Sequence, residues 1–476
     1  MHARRSHYLI AAALLVVTAL AGVAARGVNH IGVPPVSPGK TTFSAPSGGP
    51  VSFNGTLDRR AVLLGRDGTA RIELTVAAAP GEEARAPRRP TDLVIILDRS
   101  GSMSGDKITH ARAAVREILA QLGADDRFAL VTYSDAASVA VPLAPVDDRQ
   151  RSAWSAAVAE IQPDGSTNMS AGLDLGLDLV EHARRDGRVP HVILISDGLA
   201  NEGDASPQGL TRRAGRAARG EFMLSTVGVG ADFNEYLMTA LADAGTGNYY
   251  YVQDSGDLGA VFAREFDAAR STVASGLAVQ IEPGPGVRVV DAAGYPLEAD
   301  GTRVVFRPGS LFAGQARRIW VTLAVPQQAV GEYDLGRFSL SYGEGRERTV
   351  LSFAETPRIA CVRSEAEFFS GIDVPAWSRA VVVDAYNEMQ EAVAHDVKEG
   401  RRDEALRKVQ RFKDETAGLN AHIQSAPVAA ELQQADQLAA GVAGAFEGDN
   451  QPVRQNALSK SSTAAAVDAR RAGAKK

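Results

Sequence analysis

The feature of this sequence that most limits its fold is a regular alternation of short apolar runs and longer amphipathic stretches between residues 91 and 272. The short runs have the length and composition of buried strands, and they are 93–97, 128–133, 192–195, 222–229 and 249–252. The amphipathic stretches between them predict helices at 106–122, 149–161, 170–183, 207–218, 234–244 and 258–269. Strands that alternate with helices pair in parallel and carry helices on both faces. We therefore predict a doubly wound, mostly parallel α/β sheet over 91–272.

The residues on both sides of this unit follow a different pattern, in which apolar and polar side chains alternate as in half-buried strands. Ile72, Leu74 and Val76 show it before the unit, and several runs between 277 and 353 show it afterwards. The segment 51–82 holds too few strands to be stable alone. We predict that it joins 276–357 in one all-β sandwich, with the α/β unit inserted between the two parts.

The C-terminal part of the chain has helical periodicity over 374–449. Two amphipathic stretches, 375–397 and 402–423, are joined by Glu399-Gly400-Arg401, which predicts a helical hairpin, and a third helix is predicted at 428–446. Residues 450–476 are rich in alanine, serine and basic side chains with almost no bulky apolar residue. This composition favours a flexible basic tail.

The N-terminal segment, 1–25, carries Arg4 and Arg5 before an apolar run that ends in small residues, which is the order of a secretory signal peptide. The run is also near the lower length for an uncleaved membrane anchor, so both interpretations stay open. Residues 26–50 are rich in proline, glycine and serine and predict a flexible tether. We expect an exported protein that is periplasmic, cell-surface or secreted, with membrane contact only through this N-terminal segment.

Composition excludes several other classes of protein. Hydrophobic residues make up 45% of the chain and charged residues 23%, which are ordinary values for a globular protein. The formal net charge of −6 is too small and too mixed to indicate a nucleic-acid partner. Cys361 is the single cysteine, so the chain can form neither an internal disulfide nor a cysteine-based zinc site. No pair of histidines four residues apart and no Gly-x-Ser-x-Gly motif is present, and we predict that the protein is not an enzyme.

A group of oxygen-bearing side chains follows the predicted strands of the α/β unit. Asp98, Ser100 and Ser102 come at the end of the first strand, Thr167 lies in a loop before a predicted helix, and Asp197 directly follows the strand 192–195 and Ser196. The carboxyl ends of parallel strands meet at one edge of a sheet, where ligands bind. Because hard divalent cations prefer oxygen ligands, the sequence predicts a metal site at this edge.

These five residues resemble the metal-ion-dependent adhesion site of the von Willebrand factor type A domain family. The family motif is Asp-x-Ser-x-Ser followed by a separate Thr and a separate Asp, which Asp98, Ser100, Ser102, Thr167 and Asp197 match. The resemblance covers about 91–272. The flanking strands and C-terminal helices are similar to exported bacterial type A proteins often labelled chloride-channel-like, a label that implies no pore in this chain.

The resemblance implies that the serine and threonine hydroxyls contact the cation while the carboxylates act partly through water. Mg²⁺ is the expected ion, with Ca²⁺ and Mn²⁺ as alternatives. It implies an adhesion or receptor-like module in which a protein ligand presents Asp or Glu to the metal. The alternative is a scaffold or assembly subunit of a cell-envelope complex that docks through its C-terminal helices.

Overall fold

The structure is a computed structural model. It describes residues 40–472 except for 47–48, 67, 79–89, 184–186, 198–199, 230–233, 253–270 and 345–346. The predicted signal or anchor, most of the predicted tether and the helix predicted at 258–269 lie outside the described residues. Within the described ranges, no helix combines the length and apolar character needed to cross a membrane.

Four strands precede the α/β unit, and they are β1 (Thr42–Ser44), β2 (Val51–Leu57), β3 (Ala61–Leu63) and β4 (Thr69–Ala78). The side chains of β2 alternate between buried and half-buried, as expected for a strand with one face on a core. β1 corrects the tether prediction for 26–50 at residues 42–44, because it pairs antiparallel with β2 and buries Phe43 to 6% exposure. Burial of this aromatic ring offsets the entropy lost when the segment becomes ordered.

The α/β unit follows in the order β5 (Thr91–Asp98), α1 (Asp106–Gln121), β6 (Arg127–Tyr133), β7 (Ala137–Pro145), α2 (Asp148–Ala159), α3 (Met169–His182), β8 (Val189–Ser196), α4 (Pro207–Arg219), β9 (Met223–Val229), α5 (Glu235–Ala244) and β10 (Thr246–Val252). The strand order across the sheet is β10-β9-β8-β5-β6-β7. Each neighbouring pair is parallel except β6 and β7, which are antiparallel. The predicted mostly parallel sheet with helices is confirmed, whereas β7 was not predicted.

The central strand β5 explains why the sequence of this unit reads as apolar runs. All eight of its residues are buried. Leu93, Ile95 and Leu97 belong to the hydrophobic core on one face of the sheet, and Val94 and Ile96 belong to the core on the other face. A strand covered on both faces needs apolar side chains at consecutive positions, so no polar alternation remains in its sequence.

The strands after this unit are β11 (Thr272–Pro283), β12 (Arg288–Ala292), β13 (Glu298–Asp300), β14 (Arg303–Phe312), β15 (Ala316–Ala324), β16 (Gly331–Asp334), β17 (Gly336–Glu344), β18 (Glu347–Ser352) and β19 (Arg358–Val362). Two five-stranded sheets have the orders β1-β2-β4-β15-β12 and β13-β14-β11-β17-β18, and β16-β19-β3 form a third. β4 and β15 pair antiparallel along their whole lengths except for the last residue of β4. One hydrophobic core contains Phe53 and Ile72 from the first sheet and Val279, Phe306 and Phe338 from the second.

The C-terminal helices are α6 (Glu365–Ser370), α7 (Val374–Arg379), α8 (Tyr386–Lys398), α9 (Arg402–Ile423), α10 (Ala426–Ala445) and α11 (Gln451–Ala472). A π-helical stretch, Ala380–Ala385, joins α7 to α8. The turn between α8 and α9 contains Gly400 with φ of 73°, a conformation that glycine adopts without steric cost.

Helix α11 corrects the prediction of a flexible basic tail at 450–476 over residues 451–472, and residues 473–476 lie outside the described residues. It packs against α8 and buries Ser459, Ser462, Thr463 and Ala466 to 4% exposure or less. The prediction relied on the lack of bulky apolar residues. Small side chains instead allow two helix backbones to approach closely, and alanine has the highest intrinsic helix propensity.

Ion pairs join the C-terminal helices to the rest of the protein. Arg379 Nη2 lies 2.8 Å from Oε2 of Glu73 in β4, and Arg71 Nε lies 3.3 Å from Oδ2 of Asp384. Glu73 and Asp384 are each 5% exposed. Buried carboxylates require such partners, because an unpaired buried charge is costly. The helices are therefore fixed to the β-sheet by charge as well as by packing.

Candidate metal centre

Asp98 is the last residue of β5, and its side chain is fully buried. Its Oδ1 accepts a hydrogen bond from the backbone N–H of Ser100 at 2.8 Å. Its Oδ2 accepts hydrogen bonds from the hydroxyls of Ser196, at 2.8 Å, and Tyr133, at 3.3 Å. Tyr133 ends β6 and Ser196 ends β8, the two neighbours of β5. Donors from both sides therefore hold this carboxylate in one orientation at the carboxyl edge of the sheet.

The two serines after Asp98 connect it to Asp197. Ser100 Oγ lies 3.1 Å from Ser102 Oγ, and the Ser102 hydroxyl donates to Asp197 Oδ1 at 2.8 Å. Asp197 directly follows β8, and the parallel pairing of β5 with β8 brings the two strand ends together. The structure thus places Asp98, Ser100, Ser102 and Asp197, four of the five predicted residues, in one hydrogen-bonded group.

A tight turn after β5 orients the two serines differently. Gly101–Met103 form a 3₁₀ turn, and the Met103 side chain is fully buried beneath it. Ser100 is 1% exposed, whereas Ser102 is exposed to solvent. The buried methionine anchors the turn. Ser102 is therefore the member of the hydrogen-bonded group that solvent can reach.

The fifth predicted residue, Thr167, lies in the loop before α3 and is 4% exposed. Its backbone N–H donates to Asn201 Oδ1 at 2.8 Å, and its carbonyl accepts from the backbone N–H of Asn201 at 3.1 Å. The loop is joined to the turn after β5 by hydrogen bonds from Gly101 N to Gly165 O, at 3.0 Å, and from Asp164 N to the carbonyl of Arg99, at 2.7 Å. The backbone of Thr167 is therefore held to Asn201, and its loop is joined to the turn after β5. Among the described residues, its hydroxyl takes no part in the hydrogen bonds that join the other four.

Asp135 supports the same loop from the turn between β6 and β7. Its Oδ1 accepts a hydrogen bond from the backbone N–H of Ser166 at 2.6 Å, and this bond lowers the pKa of its carboxyl. Gly165 has φ of 74°, and a Cβ at this position would lie 2.6 Å from Asp135 Oδ2. Only glycine fits here without displacing the aspartate.

The electrostatics of the group are those of two carboxylates removed from water. Burial raises the pKa of the Asp98 carboxyl, the hydrogen bonds from Ser100 and Ser196 oppose that rise, and the nearby charge of Asp197 adds to it. Burial, together with the charge of Asp98, also raises the pKa of Tyr133 well above its ordinary value. A buried pair of carboxylates is costly unless a cation lies close to it.

Lys107, which was not among the predicted site residues, supplies a cation. It is the second residue of α1, and its ammonium group forms an ion pair with Asp197 Oδ2 and lies 3.3 Å from the Ser102 carbonyl oxygen. The Lys107 side chain is 31% exposed and that of Asp197 is fully buried. A lysine in the first turn of an amphipathic helix has no sequence signature that separates it from a solvated surface residue. Lys107 follows Ser102 by five residues, across the turn that precedes the helix, and this spacing alone does not single it out.

The donor set fits a hard divalent cation. Carboxylate and hydroxyl oxygens suit Mg²⁺, Ca²⁺ and Mn²⁺ better than softer metals. The ion pair between the Lys107 ammonium group and Asp197 shows that the site attracts a positive charge. In the described part of the chain, no cluster of three or more His, Cys, Asp or Glu side chains is arranged to hold a metal ion. The candidate centre differs from such clusters because three of its five predicted ligands are hydroxyl groups.

Comparison with known proteins identifies the α/β unit. Residues 92–264 match the family model described as von Willebrand factor type A domain. A solved structure described as von Willebrand factor type A from Catenulispora acidiphila superposes with a TM-score of 0.64, covering 88% of this chain and 97% of that one at 17% sequence identity. At this identity the likeness shows the fold alone.

Two curated relatives match shorter stretches. The protein YfbK of Escherichia coli (strain K12) is 29% identical over 197 residues, which are 41% of this chain and 34% of that protein. Mouse inter-alpha-trypsin inhibitor heavy chain H3 is 25% identical over 228 residues, which are 46% of this chain. The chain thus spans about a third of the first relative and a quarter of the second.

Proposed function

We propose that this chain, whose residues 92–264 match the model of the von Willebrand factor type A domain, is an exported, metal-dependent protein-binding module of the adhesion or receptor-like kind. The observation that carries the proposal is the hydrogen-bonded group of carboxylates and hydroxyls at the carboxyl edge of the sheet, which is buried except at Ser102. Such a group stabilises a cation while leaving one side accessible.

Asp98, Ser100, Ser102, Thr167 and Asp197 would hold the metal, with Mg²⁺ preferred and Ca²⁺ or Mn²⁺ as alternatives. A bound divalent cation supplies an electrophilic position that a carboxylate oxygen can occupy. Ser196 and Tyr133 keep Asp98 oriented, and Ser102 faces the solvent from which a partner would approach. A protein ligand would therefore present Asp or Glu at the Ser102 side. The proposal includes no catalysis.

The cellular location of this module and the arrangement of its domains are proposed from other observations. The signal-like N-terminal segment supports export to the periplasm, the cell surface or the medium, with attachment through that segment if it is not cleaved. We also interpret the two five-stranded sheets as one β-sandwich interrupted by the type A domain, because strands from both sides of that domain share a sheet and a core. This arrangement, together with a C-terminal helical hairpin, would support a relationship to exported chloride-channel-like type A proteins.

The first test is a calorimetric titration of Mg²⁺, Ca²⁺ and Mn²⁺ into the chelated protein. The wild-type chain should bind at least one of these ions, and Thr167→Ala and Asp98→Ala should abolish or strongly weaken binding. Circular dichroism checks that both variants remain folded. Failure of the wild-type chain to bind any of the three ions contradicts the proposal.

The second step tests the carboxylate partner with a defined probe. In the presence of saturating Mn²⁺, a short peptide that contains Glu should displace metal-bound water and reduce the proton relaxation enhancement of the protein–Mn²⁺ complex. The same peptide with Gln in place of Glu is the matched control and should have no effect. Equal effects of both peptides would remove the support for carboxylate recognition.

The alternative, docking through the C-terminal helices in an envelope complex, has less support. Val393, Val409 and Phe412, three apolar residues of the helices predicted to form the hairpin, are 8% exposed or less within the folded chain. Packing inside the protein already accounts for them. Partner binding that persists in EDTA would favour this alternative.

A further inference from the structure

We propose that Lys107 is a built-in competitor for the divalent cation, an ammonium group that neutralises Asp197 in the metal-free protein and must move away before Asp197 can contribute to metal binding. This inference rests on the proposed metal-dependent function and deepens it. It assigns a role to a residue outside the five that resemble the family motif.

The first argument is position. The Lys107 ammonium contacts two groups of the candidate centre, Asp197 Oδ2 and the Ser102 carbonyl oxygen. The other carboxylate oxygen of Asp197 accepts the hydrogen bond from Ser102. Both oxygens of Asp197 are therefore occupied by groups of the chain, one by a charge and one by a hydroxyl. A cation that approached Ser102 and Asp197 would meet the ammonium at short range, and two cations repel each other strongly where water is scarce.

The second argument is that the exchange needs only a side-chain movement. The helix that carries Lys107 is anchored by Ile108, Ala111 and Val115, which are 4% exposed or less. The lysine side chain itself is 31% exposed and follows Gly105 and Asp106, both exposed to solvent. Its four-carbon stem can rotate the ammonium into water while the helix backbone stays in place.

The third argument is the charge balance. In the metal-free protein, the ion pair with Lys107 compensates the buried charge of Asp197. In the metal-bound protein, a divalent cation would compensate both Asp98 and Asp197, and the lysine would become redundant. Removal of the lysine charge should therefore raise metal affinity and destabilise the metal-free protein.

The experiment compares four proteins, all chelated and then titrated calorimetrically with Mn²⁺ and Mg²⁺. They are the wild type, Lys107→Met, Lys107→Arg and Lys398→Met. Lys398 is the matched control, because its side chain is also 31% exposed and its Nζ lies 3.3 Å from Oε1 of buried Glu235, a carboxylate outside the five predicted metal-binding residues. Thermal unfolding of each protein is measured with and without the ion.

We expect Lys107→Met to bind the ion about tenfold more tightly than the wild type, the change expected when one charge-assisted contact no longer has to be broken. Its metal-free form should unfold at a lower temperature than the wild type, and the added ion should raise its unfolding temperature by a larger amount. Lys398→Met should also lower the unfolding temperature, but its metal affinity should equal that of the wild type.

Lys107→Arg keeps the test decisive if Lys107→Met does not fold without metal. Arginine retains the charge and can hold the carboxylate with two hydrogen bonds, so its metal affinity should equal or fall below that of the wild type. Wild-type affinity in Lys107→Met, or raised affinity in Lys107→Arg, would overturn the role of Lys107 and leave the proposed function intact. Absence of binding in both wild type and Lys107→Met would overturn the proposed function itself. Binding by Lys107→Met alone would support the competitor role but contradict the metal-dependent function proposed for the wild-type chain.

Discussion

Single residues outside the five oxygen donors decide how well the candidate centre is organised. Asp98 has three hydrogen-bond donors, and two of them, Ser196 and Tyr133, belong to the neighbouring strands. The hydroxyls of Ser196 and Tyr133 do not offer an oxygen to the proposed metal, but they fix the orientation of the Asp98 carboxylate. Supporting groups of this kind commonly change metal affinity by one to two orders of magnitude.

Ser196→Ala tests this support. The substitution removes the 2.8 Å hydrogen bond to Asp98 Oδ2, and metal affinity should fall about tenfold because the carboxylate gains rotational freedom. The free energy of unfolding should fall by about 1 to 2 kcal/mol, since a buried oxygen loses a partner. Calorimetry and chemical denaturation measure the two effects.

The control for this change is Ser225→Ala. Ser225 is fully buried in β9, and its hydroxyl lies 3.2 Å from His191 Nε2 and accepts a bond from the Asn248 backbone. This variant should lose similar stability and keep wild-type metal affinity. If both variants lowered metal affinity to the same extent, the effect would belong to general destabilisation and not to the orientation of Asp98.

At the scale of elements, the loop before α3 connects the candidate centre to two other parts of the α/β unit. It is hydrogen-bonded to the turn after β5 through Gly101 and Arg99, and to Asp135 in the turn after β6. Thr167 is therefore positioned by contacts of the whole loop and not by its own side chain. A change in the loop backbone should act on the centre as strongly as a change of a donor.

Gly165→Ala tests the loop. Its φ of 74° is unfavourable for alanine, and the added methyl would collide with Asp135, so the free energy of unfolding should fall by about 2 kcal/mol and metal affinity should also fall. Gly187→Ala is the matched control, because its φ of 82° carries a similar backbone penalty while no atom of the described residues lies within 4 Å of its added Cβ. It should lose about 1 kcal/mol and keep its metal affinity. Equal losses in both variants would rule out a role for the contact with Asp135.

The elements also indicate which parts of the structure the sequence could predict. β5 was predictable because burial on both faces leaves an uninterrupted apolar run, and Asp98 was predictable because it ends that run. β7 was missed because an edge strand that is largely exposed needs no apolar periodicity. α11 was missed because its packing depends on small residues, and Lys107 because its importance lies in a contact with Asp197, 90 residues away in sequence. Features set by contacts distant in sequence leave no local pattern.

At the scale of the whole molecule, ion pairs connect the type A domain, the β-sheets and the C-terminal helices. Glu235 begins α5 of the type A domain, and its carboxylate is paired with Lys398 at the end of α8. Glu73 of the first sheet is paired with Arg379 of α7. Because each pair buries a carboxylate between parts distant in sequence, we expect these parts to unfold in one cooperative transition.

The pair between Glu235 and Lys398 allows this coupling to be measured. Lys398→Met leaves a carboxylate with 3% side-chain exposure without its ammonium partner, and the free energy of unfolding should fall by about 2 kcal/mol, less than for a fully buried pair because the lysine is partly solvated. The double variant with Glu235→Gln should recover much of this loss, because no uncompensated charge remains. Arg407→Met, which breaks an exposed pair with Glu404 on α9, should change stability by less than about 0.5 kcal/mol. Calorimetric unfolding of all variants should give a single transition, whereas separate transitions for Lys398→Met alone would mean that this one pair holds the helices to the type A domain.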